Sequence, residues 1–367
     1  MRVGLVCPYS LTLPGGVQGQ VLGLGRTLRK LGLDARILGP CDGPPPDTAV
    51  TPLGNSIPTA SNGSMAAIAP DPSAALRTIR ALRDENFDVV NIHEPLVPGP
   101  SLTALLFTDR PVVGTFHRSG DSGWYKALKP LVIWRAKSLT VRAAVSVEAR
   151  DTAERALGGT YELVWNGIDV DQYQRPEPWP AKGPTIMFIG RHEPRKGLAV
   201  LIEAVRRLGT DVTLWIASEG PETPKLRSET AGDDRFEWLG TIDEQEKIAR
   251  LRGASALCAP SLHGESFGVI LLEGMASGTP VVAADLAGYR NVARPGLDAL
   301  LVPPGDPVGL AGALSTVLEG GPAIKEMVES GIDRARGFSM ESLAERYIEL
   351  YERALRNERA RRGARAR

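Results

Sequence analysis

Short apolar runs alternate along this chain with stretches in which apolar residues return at helical spacing. VGLVCP, ARILGP, FDVVNIHEP, PVVGTFHR and VRAAVS predict strands. VQGQVLGLGRTLRKLG, SAALRTIRALRDEN and VEARDTAERALG predict helices, the first stopping at Gly32. After the Pro-rich run QRPEPWPAKGP the alternation resumes. TIMFIGR, DVTLWIA, RFEWLG, ALCAPS and PVVAAD read as strands and GLAVLIEAVRRLG as a helix. Most of the strand runs are near-continuous apolar stretches rather than apolar at every second residue, so both faces are expected to be buried, as in parallel sheets. The pattern predicts an α/β chain of two doubly wound, Rossmann-like domains facing a central cleft, with a linker over 170–183.

Length agrees with two domains, because 367 residues exceed the size at which a single core stops growing. Charge narrows the function. Lys plus Arg and Asp plus Glu both number 43, which leaves no general field for holding nucleic acid. Cys7, Cys41 and Cys258 have no metal-ligand spacing, and an odd number argues against a disulfide framework. The opening MRVGLVCPYS is too short a run for a signal or a span, and no later run is long enough for one, so a cytoplasmic protein is expected.

In doubly wound sheets, ligands bind beyond the carboxyl ends of the strands. His93, His117, His192 and His263 each stand where an apolar run ends, which points to a polar cleft there. PGGVQGQ, residues 14–20, joins the first strand to the first helix. Its glycines let a ligand approach the backbone, and the helix start offers free N–H groups to phosphate. The glycine spacing is not that of a dinucleotide fingerprint, and the only acid available for a ribose, Asp42, lies beyond Pro40, which disfavours a dehydrogenase. GRHEPRKG, residues 190–197, supplies Arg191, Arg195 and Lys196 after the first strand of the second half, a cation set suited to a diphosphate.

HGESFGVILLEGMASGTPVVAAD, residues 263–285, sets Glu265 and Glu273 on either side of an apolar run. With Glu265 in a loop and Glu273 in the helix after it, the two acids serve two hydroxylated parts of one elongated ligand. Eight helical residues would separate them by roughly 12 Å. Ser266, Phe267 and Gly268 would offer backbone N–H groups between. The Asp169–Asp171 triplet of IDVD could suggest a metal-dependent transferase, but it sits at the linker.

ESFGVILLE, GRHEPRKG, the PGGVQ loop and VWNGID together resemble the retaining glycosyltransferases of family 4, which have the GT-B fold. VCPYSLTLPGGVQ, SNGS, IHEP, TFH and CAPSLHGESFG are most similar to the actinobacterial phosphatidylinositol mannosyltransferases of that family. The resemblance implies hexosyl transfer, with mannose from GDP-mannose to phosphatidylinositol or a related acceptor, at the inner face of the cell membrane. It implies no required cofactor and no metal. The domains would be 1–169 for the acceptor and 184–340 for the nucleotide sugar, with a C-terminal helix and basic tail, 341–367, packing back toward the first.

Carried over by residue, Gly16 and Gln18 match the donor loop, and Arg191, Arg195 and Lys196 the pyrophosphate clamp. Glu265, Ser266, Phe267, Gly268 and Val269 match the sugar and phosphate segment, Glu273 the ribose contact, and Ile242 with Lys247 the guanosine side. His117 matches the histidine near the transferring sugar, which places it with Arg191 and Lys196 among the catalytic candidates. Tyr9 and Asn62 match acceptor contacts. Four acceptor-side positions depart from the pattern: Ser61, Ala67 and Ala69 replace a tyrosine and two arginines, and Leu96 replaces an asparagine.

WYKALKPLVIWRAKSLTVR, residues 124–142, puts Lys126, Lys129 and Lys137 on one helical face and apolar residues on another, a pattern suited to an anionic membrane surface. Three other readings remain open here. One is another sugar nucleotide with a soluble polyol or glycan acceptor. The others are a two-lobed sugar-binding protein without chemistry and a sugar-nucleotide epimerase.

Overall fold

The computed structural model describes residues 1–61, 64–118, 135–136 and 138–365. The chain divides into two compact units, Met1–Gly167 with Met340–Arg367, and Ile168–Ser339. Each is built on one parallel sheet of the doubly wound kind.

In the first unit the strands are β1 (Arg2–Val6), β2 (Asp34–Gly39), β3 (Val50–Pro52), β6 (Val89–His93), β7 (Val112–Phe116), β8 (Val141–Ala144) and β9 (Glu162–Leu163). Their order across the sheet is β3-β2-β1-β6-β7-β8-β9. A separate antiparallel hairpin, β4 (Ile57–Ser61) with β5 (Ser64–Ile68), stands outside it. The chain moves from β1 toward one edge and returns beside β1 as β6, so the strand order reverses between those two strands. That reversal opens the crevice in which doubly wound sheets bind ligands.

The long helix Met340–Arg365 packs on the face of this sheet, burying Leu343, Tyr347, Leu350, Tyr351 and Ala354 with Val3, Leu5, Val89 and Val113. Val3 and Leu5 of β1 alternate with Gly4, whose own face meets the Phe87 ring. Strand sequences such as VVNIH and VVGTF are buried at every residue.

The second unit has β10 (Thr185–Ile189), β11 (Thr213–Ala217), β12 (Phe236–Gly240), β13 (Ala256–Ala259), β14 (Val281–Ala284) and β15 (Leu300–Val302), in the order β12-β11-β10-β13-β14-β15. Its reversal lies between β10 and β13. The segment before β10 packs into this unit: Trp179 N donates to Ala249 O at 2.8 Å, and the Arg250 guanidinium lies 4.3 Å from the Trp179 ring centre and 4.8 Å from that of Trp215. Arg250 Nε donates to Glu246 at 2.8 Å, so both aromatic faces meet a paired cation.

Candidate active site

The loops after β10 and β13 carry most of the candidate chemistry of the second unit, at its strand reversal. After β10 the chain makes a single 3₁₀ turn, Pro194–Lys196, and then enters the helix Leu198–Arg206 through Gly197. Gly197 has φ +70°, and any side chain there would strike the carbonyl oxygen of Pro260 in the neighbouring loop. The glycine thus lets the loop after β10 lie directly against the loop after β13. Lys196 Nζ reaches Glu265 Oε1 at 2.6 Å, and Arg195 Nη1 approaches the same oxygen at 3.5 Å. Ser261 Oγ donates to that oxygen at 2.9 Å, and Tyr289 OH in turn donates to Ser261 Oγ at 3.0 Å.

Glu193, the acid inside GRHEPRKG, is buried and holds the arginines from behind. Arg195 Nε donates to it at 2.9 Å, and Arg191 Nε lies 3.2 Å from its other oxygen. Two carboxylates therefore fix three cations at one strand end. Arg195 and Lys196 keep about a fifth of their side-chain surface exposed and Arg191 about two fifths, enough to meet a ligand anion.

Glu265 lies in the loop, and the helix Val269–Ala276 starts after Gly268, whose φ of +97° admits the tight entry. The acids are indeed split between loop and helix. Only the part from Val269 onward is helical, so the separation expected from eight helical residues does not apply. Phe267 is buried against Phe338, with ring centres 5.7 Å apart, so only its backbone can serve a ligand. Asn291 Nδ2 donates to Ser266 O at 3.3 Å and steadies that loop.

Glu273 accepts from Lys247 Nζ at 3.0 Å, and Glu244 accepts from the same ammonium at 2.9 Å. Burial works against the Lys247 charge, but Glu273 and Glu244 outweigh it and raise its pKa. Tyr173 OH donates to Glu244 at 3.3 Å, and burial, then the charges of Glu273 and Glu244, pushes the phenol far above its ordinary range. Ile242 is half-buried, just before the helix Glu244–Gly253.

In the first unit the reversal collects Tyr9, Gly16 and Gln18 after β1, His93 and Glu94 after β6, and His117 after β7. Gly16 opens the helix Gly16–Lys30, and Gln18 Nε2 reaches Ser10 O at 3.4 Å. Ser10 and Ser56 both donate to Asp42, which ties this loop to the chain after β2. Asp42 is thus a loop anchor. Tyr9 forms an isolated bridge with Ile68, and burial first, then Glu94, pushes its phenol up.

His117 Nε2 lies 2.8 Å from His93 Nδ1, and both rings are buried. Burial pushes His117 down to about 3, and burial together with His117 pushes His93 well below its ordinary value. Glu94 sits at φ +48°, and its carboxylate accepts the backbone N–H of both His117 and Arg118.

Not every signal led to a ligand site. Leu96 is packed in the core with Val90, Phe116 and Leu139, and Ala69 is fully buried. His192 is buried and paired with Thr223 Oγ1 at 2.7 Å, a structural contact, while His263 is exposed in its loop. Asp169 caps the short 3₁₀ helix Val170–Gln174 by accepting from Gln172 N. Among the described residues no group of three or more His, Cys, Asp or Glu is placed to hold a metal ion. Asn62, Lys126, Lys129 and Lys137 lie outside the described residues.

Sequence reasoning missed His93 as a partner of His117, and it missed Glu94, Glu193, Ser261, Tyr289 and Tyr173. It also missed Gln20, whose amide both donates to Gly167 O at 2.8 Å and accepts from Gly167 N at 2.9 Å. The signal for Glu193 was present, since an acid between cations at a strand end is well placed to orient them.

Residues 14–172 match the family profile Glycosyltransferase Family 4, and residues 183–320 match Glycosyl transferases group 1. The chain is 38% identical to the phosphatidyl-myo-inositol mannosyltransferase of Mycobacterium leprae, over 96% of each chain. It is 36% identical to that of Mycolicibacterium smegmatis, over 96% of this chain and 94% of the other. Among solved structures, Anabaena HepE in complex with UDP and glucose superposes with a TM-score of 0.75 at 19% identity, covering 96% of this chain and 99% of that one.

Proposed function

Because this chain belongs to glycosyltransferase family 4, we propose that it is a retaining mannosyltransferase that moves mannose from GDP-mannose to the inositol ring of phosphatidylinositol. The observation that carries the substrate assignment is the identity of 36–38% to phosphatidyl-myo-inositol mannosyltransferases over nearly the whole of each chain.

The charges at the strand reversal of the second unit support the donor half of this reading. Lys196, Arg195 and Arg191 take the diphosphate and stabilise the charge that grows on the leaving nucleotide as the glycosidic bond breaks. They are preorganised by Glu193 and Glu265, so they reorganise little during the reaction. Backbone N–H groups of Ser266, Phe267, Gly268 and Val269, at the start of the helix Val269–Ala276, add a positive dipole end. Glu265 accepts a sugar hydroxyl once a ligand phosphate draws Lys196 away. Glu273 accepts the ribose hydroxyls, with Lys247 and Ile242 toward the base. Side-chain cations supply the charge that a metal would otherwise bring, so the reaction needs none.

By family resemblance Gly16 and Gln18 are assigned to the donor, His117 to the transferring sugar, and Tyr9 and Asn62 to the acceptor. The acceptor hydroxyl attacks on the face that the nucleotide leaves, which retains the anomeric configuration. No carboxylate is assigned as a nucleophile. No helix among the described residues is long and apolar enough to cross a membrane. The lipid is instead reached by peripheral docking through the basic segment around Lys126, Lys129 and Lys137.

The test is a panel of nucleotide sugars assayed for transfer and for hydrolysis, with and without phosphatidylinositol vesicles. GDP-mannose with phosphatidylinositol should give the fastest transfer. Transfer from another sugar nucleotide to a soluble polyol, with none to the lipid, would overturn the substrate assignment.

A further inference from the structure

We infer that His93 is a positioning residue that fixes His117 as its Nδ1–H tautomer, so that the His117 ring offers a ligand a hydrogen-bond donor rather than a bare nitrogen. The catalytic consequence rests on the proposed role of His117, whereas the tautomer is a property of the ligand-free fold.

Nδ1 of His93 and Nε2 of His117 are 2.8 Å apart, so one carries the shared proton and the other accepts it. Both rings are neutral, because burial disfavours the charged form of each. Two arrangements therefore compete. If His117 Nε2–H donates, the remaining proton of His93 sits on Nε2. That atom is buried and has no hydrogen-bond partner among the described residues. If His93 Nδ1–H donates, His93 Nε2 is a bare acceptor and His117 carries its proton on Nδ1. A buried donor without an acceptor is the rarer and costlier defect, as it is for backbone N–H against C=O. The second arrangement wins.

Neighbouring groups do not reverse this choice. The Tyr347 ring centre is 6.4 Å from that of His93, and its hydroxyl pairs with Thr115 Oγ1 at 3.2 Å. Nor can the rings easily part. Ser101 Oγ donates to His93 O at 2.7 Å, and Glu94 holds the backbone of His117 and Arg118. On His117, Nδ1 is the ring nitrogen that His93 does not engage, so it is the one left for a ligand.

An Nδ1–H group binds an oxygen, such as a sugar hydroxyl, and cannot take a proton from the acceptor. His117 then acts as a hydrogen-bond donor to the sugar and not as a general base.

The experiment is a long-range proton–nitrogen correlation spectrum of the full chain labelled with ¹⁵N-histidine. Only four histidines contribute, and His117→Gln assigns the signals of interest. Wild type should show His117 with Nδ1 protonated and Nε2 bare. His93→Asn, whose amide can donate from nearly the position of Nδ1–H, should keep that tautomer and most of the transfer rate. His93→Met, whose thioether sulfur can accept but cannot donate near the position of Nδ1, should turn His117 to its Nε2–H form and slow transfer about 10-fold, the worth of one hydrogen bond. An Nε2–H signal for His117 in wild type would overturn the inference, as would an unchanged tautomer in a folded His93→Met. The wild-type spectrum decides the tautomer even if the methionine variant does not fold. The expected spectra with unchanged transfer would count against the catalytic role of His117 alone.

Discussion

At the scale of single residues, ligand-free charge pairing decides what each acid can do. Glu265 neutralises Lys196 and Arg195, the cations proposed for the diphosphate, whereas Glu273 neutralises Lys247. Glu265→Gln should therefore leave GDP affinity unchanged or tighter, because it removes an internal competitor for the clamp, while transfer of the sugar falls. Glu273→Gln should weaken GDP binding by about 10-fold or more, as loss of a hydrogen bond to a charged group does. Calorimetry with GDP decides the matter, and equal losses for the two variants would contradict the assignment.

The neutral histidine pair gives a second residue-scale expectation. His117 and His93 both have depressed pKa values in the fold, so the unfolded chain binds protons that the native state refuses. Their contribution to stability is full above the ordinary histidine value and is lost as pH falls toward that of His117. Two such groups should cost the first unit about 4 kcal/mol between pH 7 and pH 5. Urea titrations at those two pH values measure it, and equal midpoints would argue against two buried neutral rings.

Among the elements, the helix Met340–Arg365 has the largest structural consequence. It lies in the same compact unit as residues 1–167, and its tyrosines close a polar chain inside an apolar core. Asn91 Nδ2 donates to Tyr351 OH at 3.0 Å, and Thr115 Oγ1 donates to Asn91 Oδ1 at 2.8 Å. Tyr351→Phe keeps the packing but strands the Asn91 donor, at a cost of about 1–3 kcal/mol. Tyr351→Ala adds a cavity and should cost about 3–5 kcal/mol. Chemical denaturation of both variants checks the order, and a phenylalanine variant as stable as wild type would show that this hydrogen bond contributes nothing net. The ten strand runs read from the sequence all form strands, nine of them because a run buried largely on both faces leaves a near-continuous apolar signature, while the edge strand β12 is only partly buried. β3, β4, β5, β9 and β15 were not legible. They are short, or lie on an edge or in the outlying hairpin, where little apolar burial marks them.

For the whole molecule, equal numbers of acidic and basic residues mean that the proposed membrane contact has to come from a local patch. Binding to anionic vesicles should be measurable at low salt and should weaken as salt rises. Neutralising Lys126, Lys129 and Lys137 together should remove most of it, at about 1 kcal/mol for each lysine near the surface. Sedimentation with phosphatidylinositol against phosphatidylglycerol vesicles separates charge from headgroup recognition, and salt-independent binding would exclude the electrostatic account.

The sequence by itself determined two parallel α/β units, glycine-rich strand ends suited to phosphate, and membership of a glycosyltransferase family. All three are written in local spacing, which reports backbone geometry and burial directly. Only the tertiary structure decided which charges meet. Lys196 and Glu265 stand 69 residues apart, and His93 and His117 stand 24 apart. Strand order and register, not local pattern, bring such residues to one sheet end, so the partner of each candidate side chain had to be read from the fold.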